Sequence, residues 1–126
     1  MTAPSLEPSA AELVTIDVSV AGPAMVVTAV GEIDSTSAPV LHQRLDALLD
    51  SDVRELTVDL GQVSFLDSAG LSVLARAHRR AVRQDVCMRV LASSRAVIRP
   101  LQITGLWELL HAEQVAAREQ VAQGVA

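Results

Sequence analysis

The residues best placed to do chemistry lie in one run, Val63-Ser64-Phe65-Leu66-Asp67-Ser68-Ala69-Gly70-Leu71. It joins an apolar, strand-like stretch to an amphipathic helical one. Asp67 or Ser68 therefore falls at the helix start, where the first backbone N–H groups have no partner inside the helix. A serine hydroxyl at that place is a candidate phosphoacceptor, because the free N–H groups and the helix dipole favour added negative charge. The same two residues also suit a plain helix cap. Local physics alone favours the cap, since Ser and Asp are common there.

Other reactive groups offer less. Hydrolytic catalysis needs a nucleophile, a base and usually a group that orients the base. His42 and His78 fall inside helical stretches, and His111 stands apart from both. No Gly-x-Ser-x-Gly elbow and no His-Glu-x-x-His helix is present, and the six glycines are scattered singly, so no glycine-rich phosphate loop precedes a helix. The three histidines read as surface or edge residues. Asp59 ends a strand as a receiver-domain phosphoacceptor would, but no acidic pair follows an earlier strand and no lysine exists to partner it. The single cysteine, Cys87, cannot form an internal disulfide or a multi-cysteine metal site. It reads as an inert thiol in a buried strand. None of these groups forms a familiar catalytic, phosphate-loop or metal-binding signature, and no cofactor or metal is expected.

The elements that must position Asp67 and Ser68 follow from periodicity. Residues 1–12 hold Pro, Ser and Ala without pattern and read as a flexible tail. Val14, Ile16, Val18 and Val20 alternate with polar residues, which predicts a strand over 13–20 with one wet face. Ala21-Gly22-Pro23 turns the chain into a second, more apolar strand over 25–30, giving an antiparallel hairpin. Ser35-Thr36-Ser37-Ala38-Pro39 opens a helix carried on by Leu41, Leu45, Leu48 and Leu49. A strand over 56–60 and a helix over 68–83 follow, the helix with Leu71, Leu74, His78, Ala81 and Val82 on one side. A strand over 87–91 comes next. A helix over 96–103 must be short or kinked, because Pro100 removes a backbone bond. A last strand is expected over 109–111 and a last helix over 113–122, with Trp107 packing that helix on the sheet. Along the 68–83 helix, Arg76, Arg79, Arg80 and Arg83 read as a solvated face suited to the helix C-terminus, in preference to a partner-binding patch.

This order predicts an α/β domain: a mixed, mostly parallel sheet of four to five strands, opened by the hairpin and flanked by about four helices. At 126 residues, half of them apolar, the chain suffices for one domain, placed over 13–123 with a short tail at 124–126. A formal net charge of −5 argues against direct nucleic-acid binding, as do only two aromatic residues, Phe65 and Trp107. All ten basic residues are Arg, which reads as a genome-composition effect. The uncharged stretch 18–31 is too short to cross a bilayer, and no Lys or Arg precedes Arg44, so no membrane and a cytoplasmic location are expected.

Three segments together resemble the STAS domain, and within it the bacterial anti-sigma factor antagonists. Gly31-Glu32-Ile33-Asp34 with Thr36 and Ala38 resembles an early loop of that family. Asp59-Leu60 through Phe65-Leu66-Asp67-Ser68-Ala69-Gly70-Leu71 resembles its phosphorylation loop, and Leu101-Gln102-Ile103-Thr104-Gly105-Leu106 its late helix and turn. The likeness spans roughly residues 13–121. It implies the STAS fold, with Ser68 as phosphoacceptor and Asp34, Asp67, Ser68, Ala69 and Gly70 at the partner-binding surface. Ala69 stands where the family often has a second hydroxyl, leaving one in the loop. The implied partners are an anti-sigma factor serine kinase of the GHKL type, released on phosphorylation, and a serine phosphatase that resets the protein. A STAS subunit of another assembly, in stress signalling or lipid transport, and a nucleotide-binding STAS module are the alternatives.

Overall fold

The computed structural model describes residues 14–116. Strands β1 (Val14–Ala21) and β2 (Ala24–Ile33) form the opening hairpin, paired antiparallel from Val14–Gly31 to Ala21–Ala24. Gly22 has φ +63° at the first position of its two-residue turn, and the next residue is Pro23. A primed hairpin turn requires such a positive φ, and glycine adopts it without steric cost. Helix α1 (Ala38–Leu49) leads to β3 (Glu55–Leu66), α2 (Ser68–Arg83) and β4 (Cys87–Ala92). Helix α3 (Arg95–Ile103), the single turn α4 (Leu106–Leu109) and the two-residue β5 (Glu113–Gln114) complete the described fold.

The sheet runs β1-β2-β3-β4-β5, antiparallel at the first pair and parallel thereafter. The mixed sheet with its opening hairpin and four helices is the predicted architecture. Each parallel crossover steps one strand in the same direction, and the right-handed rule then sets the crossover helices on one face. The core on that face is apolar throughout. Val27, Ala29, Leu56, Val58, Leu60, Val90 and Ala92 of the sheet are buried with Leu41, Leu45 and Leu49 of α1 and Val73, Leu74, Ala77 and Ala81 of α2. At about 25 cal/mol per Å² of apolar surface, each buried Leu contributes on the order of 2 kcal/mol.

Several elements depart from the sequence expectation. The inward side of α2 is Gly70, Val73, Leu74, Ala77 and Ala81, whereas Val82 points outward and is 62% exposed. Small Ala77 and Gly70 mark the close-packed side. Cys87 is exposed, because Met88, Val90 and Ala92 take the inward register of β4. The strand expected over 109–111 is not formed. Gly105, at φ +80°, breaks the chain after α3, and a further helical turn follows in which Leu110 N–H donates to the Leu106 carbonyl at 2.8 Å. Pairing resumes only at Glu113–Gln114, beside Leu91 and Ala92, so the helix expected from 113 does not begin there. Its remainder past 116 lies outside the described residues, as do the two tails. Helix α3 runs through Pro100 for nine residues and is short, as expected. Trp107 sits half-buried in α4 against the core.

Candidate functional site

The site forms where β2 and β3 end side by side. Two register shifts between them, after Thr28 and after Gly31, place extra residues on β3 and bring Ile33 opposite Leu66. Bulges re-aim side chains near a strand end. Here they bury Leu66 and turn Phe65 outward, 44% exposed, three residues before Ser68. The Asp67 N–H donates to the Ile33 carbonyl at 3.2 Å, which ties the start of α2 to the end of β2. The loop that follows β2 and the loop that follows β3 are therefore neighbours.

Asp67 caps α2. Its Oδ1 accepts the Ala69 N–H at 2.9 Å and the Gly70 N–H at 3.3 Å. Ser68 is the first residue of the helix and is exposed, and its hydroxyl makes no hydrogen bond among the described residues. The cap and the candidate phosphoacceptor are thus two residues with separate tasks. Asp67 already occupies two N–H groups of the first turn, which leaves its carboxylate beside Ser68.

Gly70 is buried directly beneath this loop. A Cβ there would lie 2.4 Å from Leu66 Cδ1 and 2.9 Å from Ile33 Cγ2. The glycine lets α2 start in contact with both strand ends, and it offers the surface nothing. Ala69 is half-buried beside Ser68.

Asp34 organises the adjacent loop. Its Oδ1 accepts the Thr36 N–H at 2.9 Å and the Ser37 N–H at 3.1 Å. Ser37 is fully buried; its hydroxyl donates to the Glu32 carbonyl at 2.7 Å and accepts the Asp34 N–H at 3.0 Å. Ser37 is the N-terminal boundary of α1 but makes no side-chain cap bond, and the helix opens on Ala38 and Pro39. A third loop joins the same edge, where the Ser93 hydroxyl donates to the Gly61 carbonyl and the Ser94 hydroxyl to the Val63 carbonyl. The predicted residues Asp34, Asp67, Ser68, Ala69 and Gly70 are brought together, and only Ser68 among them is exposed.

The other sequence candidates lie elsewhere. Asp59 is buried and accepts the Gly61 N–H at 2.9 Å, so its carboxylate is not open to a phosphodonor. His42 Nε2 lies 3.3 Å from Asp46 Oδ2, one helical turn on. His78 is half-buried: both ring nitrogens are inaccessible and have no hydrogen-bond partner among the described residues. Burial first, then the charges of His111 and Arg79, hold its pKa below the ordinary 6.5. Arg80, read as solvated, binds Asp46 at 3.0 Å and also Asp50 across the α1–α2 seam. Those two carboxylates, Asp50 foremost, raise the pKa of its guanidinium. The 30- and 34-residue separations left no local signal of this tie. Phe65 is one of two aromatic residues in the sequence, and its outward turn depends on the β3 bulges. Among the described residues no group of His, Cys, Asp and Glu could hold a metal ion, and no helix is long and apolar enough to cross a membrane.

Comparison with known proteins agrees with this fold. Residues 15–122 match the family model of the STAS domain. The chain is 35% identical over 80 residues to the anti-sigma-B factor antagonist of Bacillus subtilis strain 168, covering 64% of this chain and 72% of that one. The crystal structure of an anti-sigma factor antagonist from Mycobacterium paratuberculosis superposes with a TM-score of 0.73 at 32% identity, over 79% of this chain and 84% of that one. The anti-sigma factor antagonist SpoIIAA in its unphosphorylated form shares the fold at 18% identity, with a TM-score of 0.69 over 86% of this chain and 92% of that one. The chain belongs to the STAS domain family, in the company of relatives that are anti-sigma factor antagonists.

Proposed function

We propose that this protein is an anti-sigma factor antagonist gated by phosphorylation of Ser68. Unmodified, it binds an anti-sigma factor that is a GHKL-type serine kinase, and the sigma factor held by that kinase is released. The kinase then transfers the γ-phosphoryl group of ATP to the Ser68 hydroxyl oxygen, with loss of the hydroxyl proton and formation of ADP. A serine phosphatase hydrolyses the ester and restores the binding form. The protein is substrate and ligand in this cycle, in the cytoplasm, and not its catalyst.

The observation that carries this reading is the exposed Ser68, whose hydroxyl makes no hydrogen bond among the described residues, directly beside the capping Asp67. A phosphate there adds about −1.5 to −2 charge. With the Ala69 and Gly70 N–H groups already bound to Asp67, the new charge remains on the surface, next to a carboxylate. An interface over Ser68 must then desolvate that charge or oppose it with its own acids, and like charges across an interface cost several kcal/mol. The fold itself need not change. A shift of about 5.5 kcal/mol carries a two-state equilibrium from 99:1 to 1:99.

The test is complex formation with the kinase in the presence of ATP, followed by gel filtration or calorimetry. Wild-type protein should bind, become modified and dissociate; Ser68→Ala should bind and stay bound. Equal dissociation of both proteins under ATP would refute the role given to Ser68.

A further inference from the structure

The seam between α1 and α2 is closed at one end and open at the other. At its C-terminal end Arg80 reaches Asp46 and Asp50, and Gln84 Nε2 donates to the Leu49 carbonyl at 2.6 Å. At its N-terminal end the helices part around a cleft of about 240 Å³. Ala38 and Pro39 of α1 and Ala69 and Val73 of α2 line it, with Ser35, His42 and Arg76 at the rim. Ala69 is the residue next to Ser68, so the cleft adjoins the exposed hydroxyl.

The rim charges are not equivalent. His42 faces Asp46 on its own helix. Arg76 is exposed and, among the described residues, makes neither a hydrogen bond nor an ion pair. It follows Ala69 and Val73 at helical spacing and precedes Arg80 by one turn, so all four face α1. The cleft therefore offers an apolar floor and one uncommitted cation, in a protein whose net charge is −5.

We infer that this cleft receives an apolar side chain of the anti-sigma kinase, flanked by a carboxylate that pairs with Arg76. The inference rests on the Ser68 reading and names the part of the surface that selects the partner. The floor accepts an aliphatic or aromatic side chain, and desolvation by that side chain strengthens the pairing at Arg76. It also supplies a reason for the switch. A carboxylate drawn toward Arg76 approaches the loop on which the phosphate appears, so the partner group that gives affinity before modification meets like charge after it.

Calorimetry of the unphosphorylated full chain against each GHKL-type serine kinase of the source genome, with ADP present, tests this. Two variants probe the cleft: Arg76→Glu reverses its charge, and Ala69→Met fills it. Each should weaken binding by about tenfold or more, equal to about 1.4 kcal/mol. Arg83→Glu, the same charge change in the last turn of α2, should stay within about twofold of wild type. Thermal melts establish that each variant is folded, and the Arg76→Glu deficit should shrink at high salt, as rim charges do. If wild type binds and both cleft variants bind equally well, the cleft inference is overturned and the Ser68 reading stands. If no kinase binds wild type, the Ser68 reading fails and the inference falls with it.

Discussion

Ser37 and Ser68 stand at the starts of neighbouring helices, three residues and one residue after an aspartate that holds their loops. In both loops a carboxylate Oδ1 binds two consecutive backbone N–H groups, from Thr36 and Ser37 in one and from Ala69 and Gly70 in the other. The hydroxyls have opposite fates. Ser37 is fully buried and bonded to Glu32 and Asp34, while Ser68 is exposed and its hydroxyl is unbonded among the described residues. One hydroxyl is a structural bolt and the other lies on an exposed residue. The local chemistry is nearly the same; the difference comes from where β2 and β3 end. Ser37 folds back beneath the end of β2, whereas Ser68 sits on the outer side of a helix pressed against Leu66 and Ile33.

The contrast breaks most visibly if Ser68 is given a permanent charge. Ser68→Glu should reduce kinase affinity by about 100-fold, since like charge in an interface costs several kcal/mol. Its melting temperature should remain close to wild type. Calorimetry paired with a thermal melt checks both halves.

Gly70→Ala attacks the packing that holds Ser68 outward. The added Cβ meets two core side chains well inside van der Waals contact, and overpacking costs about 1–3 kcal/mol. Urea denaturation should show that loss. Ser37→Ala should cost a comparable or smaller amount, about 1–3 kcal/mol, because it leaves the Glu32 carbonyl and the Asp34 N–H without their partner. Ser68→Ala should be nearly neutral in the same assay. Equal stability of the two alanine variants would erase the distinction between bolt and gate.

The smallest effect concerns pH and lies away from both loops. His78 has both ring nitrogens inaccessible and unpartnered among the described residues, and burial, His111 and Arg79 lower its pKa below 6.5. The neutral ring is the one the folded state accepts. Its contribution to stability is therefore full above about pH 6.5, the unfolded value, and is lost as pH falls through the lower folded value. Unfolding free energies measured across that range should decline on acidification, and His78→Leu should flatten the decline.

Much of this was legible in the chain. Alternation in β1, the Pro39 helix start and a helix cap at Asp67 or Ser68 each rest on neighbours in sequence; each appears in the structure, which gives the cap to Asp67. What escaped depends on distant residues or on small ones. The inward turn of α2 is set by Ala77 and Gly70, whose importance lies in how closely the sheet approaches. The exposure of Cys87 follows from which face Met88 takes. The Arg80 tie spans 30 and 34 residues, and the bond of Ser37 to Glu32 exists only because the loop folds back on its strand. At the site, the loop and its cap were readable, and the resemblance singled out Ser68. The open cleft beside it was not, because it is a space between two helices.

The most direct measurement is phosphopeptide mapping after reaction with the kinase and ATP. The account predicts one phosphate, on the peptide that carries Ser68, and none on Ser37 or in the Ser68→Ala variant. A phosphate on another residue, with Ser68 unmodified, would contradict it.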